Sequence, residues 1–229
     1  TKRDGSGAIT RAGLDLRLLG GGFGTAQKFW SQAMIPYGAK PLEKVGDKYK
    51  AGYDNDAGIK ALQMYIDGVF KLKYSTPDMK HDTEAFGQEA SSMFQRESWV
   101  VSYMRDNAPN VKYGQFAMPK GSADWGTVNN TIALFMPKGT KAKKEAADFV
   151  LWLCNDANTV YTYQKSGWQP GRTNVDYTSV YKTQPEYKFW YDLFTLPGHK
   201  MYDYENIKPI AEVHNRMADR LIAAFKQAD

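Results

Sequence analysis

Cysteine, histidine and long apolar runs are the scarce features of this 229-residue chain. The single cysteine, Cys154, excludes an intrachain disulfide. Following the apolar run Phe149-Val150-Leu151-Trp152-Leu153, it reads as a buried, inert thiol rather than a nucleophile. His81, His199 and His214 lie too far apart for a familiar metal motif, and one cysteine cannot complete a structural zinc site, so no metal and no cofactor is expected. No apolar run approaches the ~20 residues of a membrane span, and no signal peptide opens the sequence. There is no Gly-x-Ser-x-Gly elbow, and the candidate acids Asp82, Glu84, Asp106 and Asp124 stand in capping or turn contexts, so an enzyme is not expected. Thirty Lys and Arg outnumber 25 Asp and Glu, but they are scattered without a block of like charge, which argues against a nucleic-acid surface.

Aromatic residues are abundant. They make up 14% of the chain, with 15 Tyr and 6 Trp, and they combine flat apolar faces with polar edges, as a carbohydrate or nucleobase pocket requires. Hydrophobic residues at 42% and charged residues at 24% are ordinary for a folded globular chain. The length exceeds a usual domain of ~100–150 residues but falls short of two with linkers, so it fits one large domain or an incomplete pair. The opening Thr1-Lys2-Arg3-Asp4-Gly5 lacks an initiator Met and reads as the polar end of a helix running into a turn; residues before Thr1 are expected.

Periodicity mixes helices with strands. Leu14-Asp15-Leu16-Arg17-Leu18 alternates like a half-buried strand, then Gly20-Gly21-Gly22-Phe23-Gly24 breaks it before a helix over residues 25–37. That glycine loop lacks the Gly-Lys-Ser/Thr of a phosphate loop and the spacing of a dinucleotide fingerprint, so it reads as a tight turn allowing close backbone approach to a ligand. Residues 41–53 suggest a hairpin turning at Gly46-Asp47. Asp54 or Asn55 caps a helix bearing Ile59, Leu62, Met64, Ile66, Val69 and Phe70, and another runs from Asp82 through Phe94. Residues 99–104, 113–118 and 131–136 read as strands. Residues 141–155 form an amphipathic helix, a second continues to the C′ glycine Gly167, and further helices cover 185–196 and 207–225. No repeat is present, and the class is α/β or α+β.

The order of several short motifs carries more information than any one of them. Phe94-Gln95-Arg96-Glu97-Ser98-Trp99 leading through Tyr103-Met104 and on to Tyr113-Gly114-Gln115-Phe116-Ala117-Met118-Pro119 resembles the middle of extracellular solute-binding proteins of the maltose-binding type. Residues 54–71 are similar to that family's "Asp-Asn/Asp-x-Gly-x-x-Ala-Leu" helix, and residues 139–149 to its "Lys-x-x-Glu-Ala-Ala-x-x-Phe" helix. Gly167-Trp168-Gln169-Pro170-Gly171-Arg172 resembles its "Gly-x-x-Pro-x-Arg" turn. The chain departs from the pattern at Glu97, where Gly is usual, and at Val100-Val101, where Ala-Met is usual.

The resemblance implies an α/β, periplasmic-binding-protein-like two-lobe fold with discontinuous lobes, of which this chain is the larger, C-terminal part. Residues 1–124 and 174–229 then belong to the C-terminal lobe, and residues 125–173 are a return segment of an N-terminal lobe whose first stretch is missing. It further implies capture of a sugar or small oligosaccharide in the interlobe cleft and delivery to ABC transporter permease subunits. The location would be periplasmic, or extracellular on a lipid anchor outside this chain. The stacking residues would be Phe23, Trp30, Trp99, Tyr103 and Trp168, with Trp125 near the crossover; polar partners would be Ser102, Arg105, Asn129, Asn130 and Arg172. A polyamine, a phosphorylated polyol or another small polar solute is the alternative ligand, and an acidic one would favour Arg105 and Arg172 as clamps.

Overall fold

A computed structural model describes residues 1–19 and 21–226. In chain order its helices are α1 (Gly22–Phe29), α2 (Ile35–Tyr37), α3 (Asp56–Ile66), α4 (Asp82–Gly87), α5 (Val100–Asn107), α6 (Lys143–Leu153), α7 (Asp156–Ser166), α8 (Thr178–Thr183), α9 (Glu186–Phe194) and α10 (Ile210–Lys226). A π-helical turn, Trp30–Met34, joins α1 to α2, and another, Asp67–Lys71, extends α3. The strands are β1 (Lys2–Arg3), β2 (Ile9–Arg11), β3 (Leu42–Val45), β4 (Lys48–Ala51), β5 (Gly126–Val128) and β6 (Lys200–Tyr202). They pair as two antiparallel hairpins, β1–β2 and β3–β4, and one parallel pair, β5–β6. The chain divides into two compact units.

The first unit comprises Thr1–Gln95, Ala117–Asn129 and the described residues from Pro197. Its opening is a hairpin rather than a helix end, because the Asp4 carboxylate accepts from the backbone N–H of Ser6 (2.9 Å) and Ala8 (3.1 Å) and closes a turn. Residues 14–18 form no strand, and the alternation misleads: Asp15 is only 2% exposed, beside the buried Leu16 and Leu18. Asp15 Oδ1 accepts from the Arg17 N–H (2.6 Å), and Arg17 takes φ +51°, which breaks any extended run. The β3–β4 hairpin turns at Gly46-Asp47 as its sequence requires, with Gly46 at φ +59°. Asn55 caps α3 by accepting from the Gly58 N–H at 3.0 Å. α4 stops at Gly87, well short of Phe94, since Glu89 adopts φ +59° and turns the chain.

The core of this unit packs α1, the π-turn after it and α2 against α3 and α10. Phe29, Trp30, Met34, Tyr65, Met217, Leu221 and Phe225 are among its buried members. The same helical layer also buries polar groups: Thr25, Gln27, Lys28, Ser31 and Gln32 are each 6% exposed or less. Gln32 Oε1 accepts from the Tyr65 hydroxyl (2.6 Å), so this polarity is partly internalised as a network.

The second unit comprises Arg96–Phe116 and Asn130–Leu196. Its core is small and rich in tyrosine: Val101, Tyr163, Tyr177, Val180 and Tyr187. Tyr163 and Tyr187 lie 4.8 Å apart between ring centroids, and the Tyr163 hydroxyl donates to Gln169 Oε1 (2.6 Å). All three strands read from the stretches 99–104, 113–118 and 131–136 are absent. The first is helix α5, and the other two are irregular. Residues 131–136 form no strand and leave Ile132 (65%), Leu134 (55%) and Phe135 (87%) exposed. Helix α6 forms where its periodicity places it but buries none of its residues; Phe149, Leu151 and Trp152 face outward. Cys154, at its end, is exposed rather than buried for the same reason.

Candidate functional site

Two glycines set up the first cluster. Gly21 and Gly22 have φ of +56° and +67°, conformations that side chains resist, and a Cβ on Gly21 would stand 3.1 Å from Ile222 of α10. The close approach that this loop allows is therefore to α10. It brings Phe23, in the first turn of α1, onto Tyr204 and onto His214 of α10, each at 4.9 Å between centroids. Trp30 follows two helical turns later on the same face and meets Tyr204 (5.5 Å), His214 (6.0 Å) and Tyr202 (6.3 Å). Trp30 opens a π-helical turn, a local distortion that recurs at functional sites.

Trp30 and His214 wall a cavity of about 180 Å³ completed by Pro41, Leu42, Tyr202 and Ile210, with Lys40, Asp203 and Glu205 around its exposed rim. That is smaller than a complete small-molecule pocket of ~300–1,000 Å³. His214 is 1% exposed, and among the described residues neither of its nitrogens has a hydrogen-bond partner; the same holds for the indole N–H of Trp30. Burial pushes the His214 imidazole down to about 4, so it is neutral near pH 7.

The rim is held from behind. Asn129 donates through Nδ2 to Asp203 Oδ1 (2.9 Å) and through its backbone N–H to the Tyr202 carbonyl (2.7 Å). Asp124 accepts from the Tyr202 hydroxyl and pairs with Lys200 at 2.9 Å. Those contacts, the tyrosine hydroxyl first, hold its carboxyl down at about 2. Trp125 does not line the cavity: its indole N–H donates to the Met118 carbonyl (2.6 Å) and its ring abuts His199.

The second cluster lies in the other compact unit. Because residues 100–107 are helical, Trp99 and Tyr103 fall one turn apart and meet edge-on at 6.1 Å. Trp168 approaches Trp99 at 6.4 Å, carried there by Gly167 at φ +75°. A Cβ on Gly167 would lie 2.9 Å from the Trp99 Cα, so glycine is needed both for the turn and for the approach. The Ser102 hydroxyl reaches the carbonyls of Trp99 (2.8 Å) and Ser166 (3.0 Å), which ties α5 to the end of α7. The Arg96 guanidinium lies 4.6 Å over the Trp99 ring.

The two arginines suggested as clamps are engaged with the protein. Arg105 forms a two-point pair with Asp106 (2.7 and 2.9 Å) and also donates to Gln184. Arg172 pairs with Asp156 (2.7 Å) and donates to the Cys154 carbonyl (2.7 Å). Asn130 is exposed. Thus Phe23, Trp30 and Asn129 gather at the cavity or behind its rim, Trp99, Ser102, Tyr103 and Trp168 gather in the second cluster, and Trp125, Arg105 and Arg172 serve local ties. His214, Tyr204, Tyr202 and Asp203 escaped the sequence reading. The aromatic alternation Tyr202-Asp203-Tyr204 was the signal available for three of them.

Residues 17–188 match the family model described as bacterial extracellular solute-binding protein. The chain belongs to this family. Solved structures agree on the fold. The maltose-bound MalE3 of T. maritima superposes with a TM-score of 0.72 at 18% identity, over 96% of this chain and 56% of that one. UgpB from Mycobacterium tuberculosis, in complex with glycerophosphocholine, gives 0.71 at 14% identity over 97% and 55%. The cyclic alpha-maltosyl-1,6-maltose binding protein from Arthrobacter globiformis gives 0.68 at 18% over 96% and 55%. The chain thus spans little more than half the length of these structures. No curated protein sequence matches it. The architecture is that of mixed α/β, two-lobe binding proteins, present here in part. Among the described residues no helix is long and apolar enough to cross a membrane, and no group of three or more His, Cys, Asp or Glu could hold a metal ion.

Proposed function

We propose that this chain is the C-terminal part of the substrate-binding component of an ABC importer, which captures a sugar or small oligosaccharide and presents it unchanged to membrane permease subunits. The observation that carries this reading is the cavity walled by Trp30 and His214 and rimmed by Asp203 and Glu205. Apolar faces of a sugar ring stack on aromatic walls, and carboxylates accept from its hydroxyls. Phe23 supports the wall from behind, and Trp99, Tyr103 and Trp168 offer a second aromatic surface with the same chemistry. The alternative of an anionic ligand draws no support from Arg105 or Arg172, whose charges are already paired. No bond is made or broken, so no residue is assigned a catalytic role, and the work is done outside the cytoplasmic membrane.

The lobe assignment belongs to the same proposal: residues 1–124 and 174–229 to the C-terminal lobe, and residues 125–173 to a return segment of the other lobe. The outward-facing Ile132, Leu134 and Phe135, and on α6 Phe149, Leu151 and Trp152, support it, because large exposed apolar side chains grouped in this way mark surface that is normally covered. Ligand capture would close the lobes about a hinge. The test is a thermal-shift screen of the full-length protein against neutral sugars, spermidine and glycerophosphocholine, since a ligand bound only by the native state raises Tm. A neutral sugar should give the largest rise. A rise with spermidine or glycerophosphocholine alone would reject the sugar reading.

A further inference from the structure

The backbones that carry the second aromatic cluster are pinned to each other. The Ser98 hydroxyl oxygen accepts from the Gln169 N–H (3.0 Å), and the Ser102 hydroxyl donates to the Ser166 carbonyl (3.0 Å), so the turn bearing Trp168 is held on both sides against the start of α5. Those bonds do not reach the Trp99 side chain. Two residues just before it do. Glu97 Oε2 accepts from the Trp99 indole N–H at 3.1 Å. Arg96 Nε lies 3.5 Å from the same oxygen, and its guanidinium carbon stands 4.6 Å from the Trp99 ring centroid. One indole is thus gripped at its polar edge by a carboxylate and across a face by the cation that this carboxylate attracts.

The side chains of Arg96 and Glu97 are only 10% and 18% exposed, and taking an ion pair out of water offsets most of what its attraction contributes, so stability alone is a poor account of them. Trp99, Tyr103 and Trp168 are each only partly buried, so the held ring keeps surface that a solute can reach. We propose that Arg96 and Glu97 are positioning residues, which together fix the Trp99 ring in the orientation that stacks on the apolar face of a bound sugar. A ring held before binding loses less freedom when the solute arrives. Because the indole N–H is already bonded to Glu97, a solute at Trp99 is read by stacking on ring surface and not by a hydrogen bond from the indole. This inference rests on the solute-binding reading and goes beyond it by assigning residues that act through Trp99.

The test is calorimetric titration of the full-length protein and its Glu97→Ala, Glu97→Gln, Arg96→Met and Trp99→Ala variants with maltose and tagatose. The ligand-free Tm and the NMR signal of the Trp99 indole N–H are measured alongside. We expect at least one sugar to bind the unmodified protein and Trp99→Ala to weaken that binding most. Glu97→Ala and Arg96→Met should each weaken it about three- to tenfold at nearly unchanged Tm, as expected when one side chain must be ordered on binding. Glu97→Gln, which keeps an oxygen for the indole N–H, should weaken it less. The Trp99 indole signal should move toward that of a solvent-exposed indole in Glu97→Ala and stay near its place in Glu97→Gln, a pattern that a merely structural carboxylate would not tie to affinity. If sugar binds Glu97→Ala as tightly as the unmodified protein, or if affinity falls only in step with a loss of Tm that Glu97→Gln shares, the positioning role is overturned while the solute-binding reading stands. Undiminished binding by Trp99→Ala overturns it as well. If neither sugar binds the unmodified protein, the positioning role fails together with the sugar reading.

Discussion

The two compact units are unlike in what they bury. The first packs α1, α3 and α10 around large side chains such as Met34, Tyr65 and Leu221, and closes its aromatic cavity from within. The second has a five-residue core of mostly tyrosine and leaves the apolar side of α6 and the run 132–136 outside. Both use the same local devices, an asparagine cap opening a helix (Asn55 for α3, Asn155 for α7) and a positive-φ glycine after one (Gly38 and Gly167). Local chemistry therefore shapes helices equally well in each. What differs is the supply of packing partners, and helix α6 shows that an amphipathic helix can be well formed yet bury nothing.

Substitutions in the two units should differ most where the packing differs most. Leu16→Ala in the first unit, at a site 1% exposed, should cost about 2–5 kcal/mol in denaturant unfolding. Trp152→Ser on α6, 57% exposed, should cost about 0.5 kcal/mol or less in this chain. In the full-length protein, if the lobe assignment holds, the Trp152→Ser cost should rise to the level of a core substitution. Equal small costs in both settings would contradict the idea that α6 is covered there.

The next effects depend on pH and concern the first unit only. Burial raises the Asp15 carboxyl from 3.8 to about 6, with the neighbouring Asp82 charge adding to the rise. The fold thus favours the protonated form, and that contribution is fully present below about pH 3.8 and lost as pH rises through about 6. Asp15→Asn should remove this loss, worth on the order of 2–3 kcal/mol, and make the variant relatively more stable at pH 7 than at pH 4. His214 has the opposite sign. Its pKa falls from 6.5 to about 4, so its contribution is present above about pH 6.5 and lost as pH drops through about 4. Unfolding free energies measured from pH 4 to 7.5 should therefore shift in opposite directions for Asp15→Asn and His214→Phe. Parallel shifts would show that burial does not govern these two groups.

Smallest are the caps. Asn55→Ala and Asn155→Ala should each cost about 1 kcal/mol, because each removes the side-chain oxygen that accepts from a backbone N–H at 3.0 or 2.8 Å. Similar values in the two units would support the view that they differ in packing rather than in local helix chemistry.

Much of this was legible in the sequence wherever a local rule decided the outcome. The Gly46-Asp47 hairpin, the Asn55 cap, helices α6, α7 and α10, and the αL glycine Gly167 all follow from residue type and spacing. Tertiary context overrode local preference elsewhere. The β-branched and aromatic run Trp99-Val100-Val101-Ser102-Tyr103 favours a strand, yet it forms α5, with Val100, Val101 and Met104 turned inward and Val101 packed in the tyrosine core. Asp15 goes inward against its alternation, its carboxylate accepting from the Arg17 backbone N–H while the neighbouring Asp82 charge opposes its ionisation. At the candidate site, loop and helix aromatics such as Phe23, Trp30 and Trp168 could be picked out one by one. His214 could not, because its meaning comes largely from Phe23 and Trp30, 191 and 184 residues earlier in the chain, which only the fold brings to it.

We propose that the cavity walled by Trp30 and His214 belongs to a protein that binds an uncharged sugar and leaves it unchanged. Calorimetric titration of the full-length protein with a panel of neutral mono- and oligosaccharides, followed by NMR of the recovered ligand, tests this most directly. Saturable binding of at least one sugar, recovered intact, is the expected result. Absence of binding across the panel, or conversion of the sugar to a product, would contradict it.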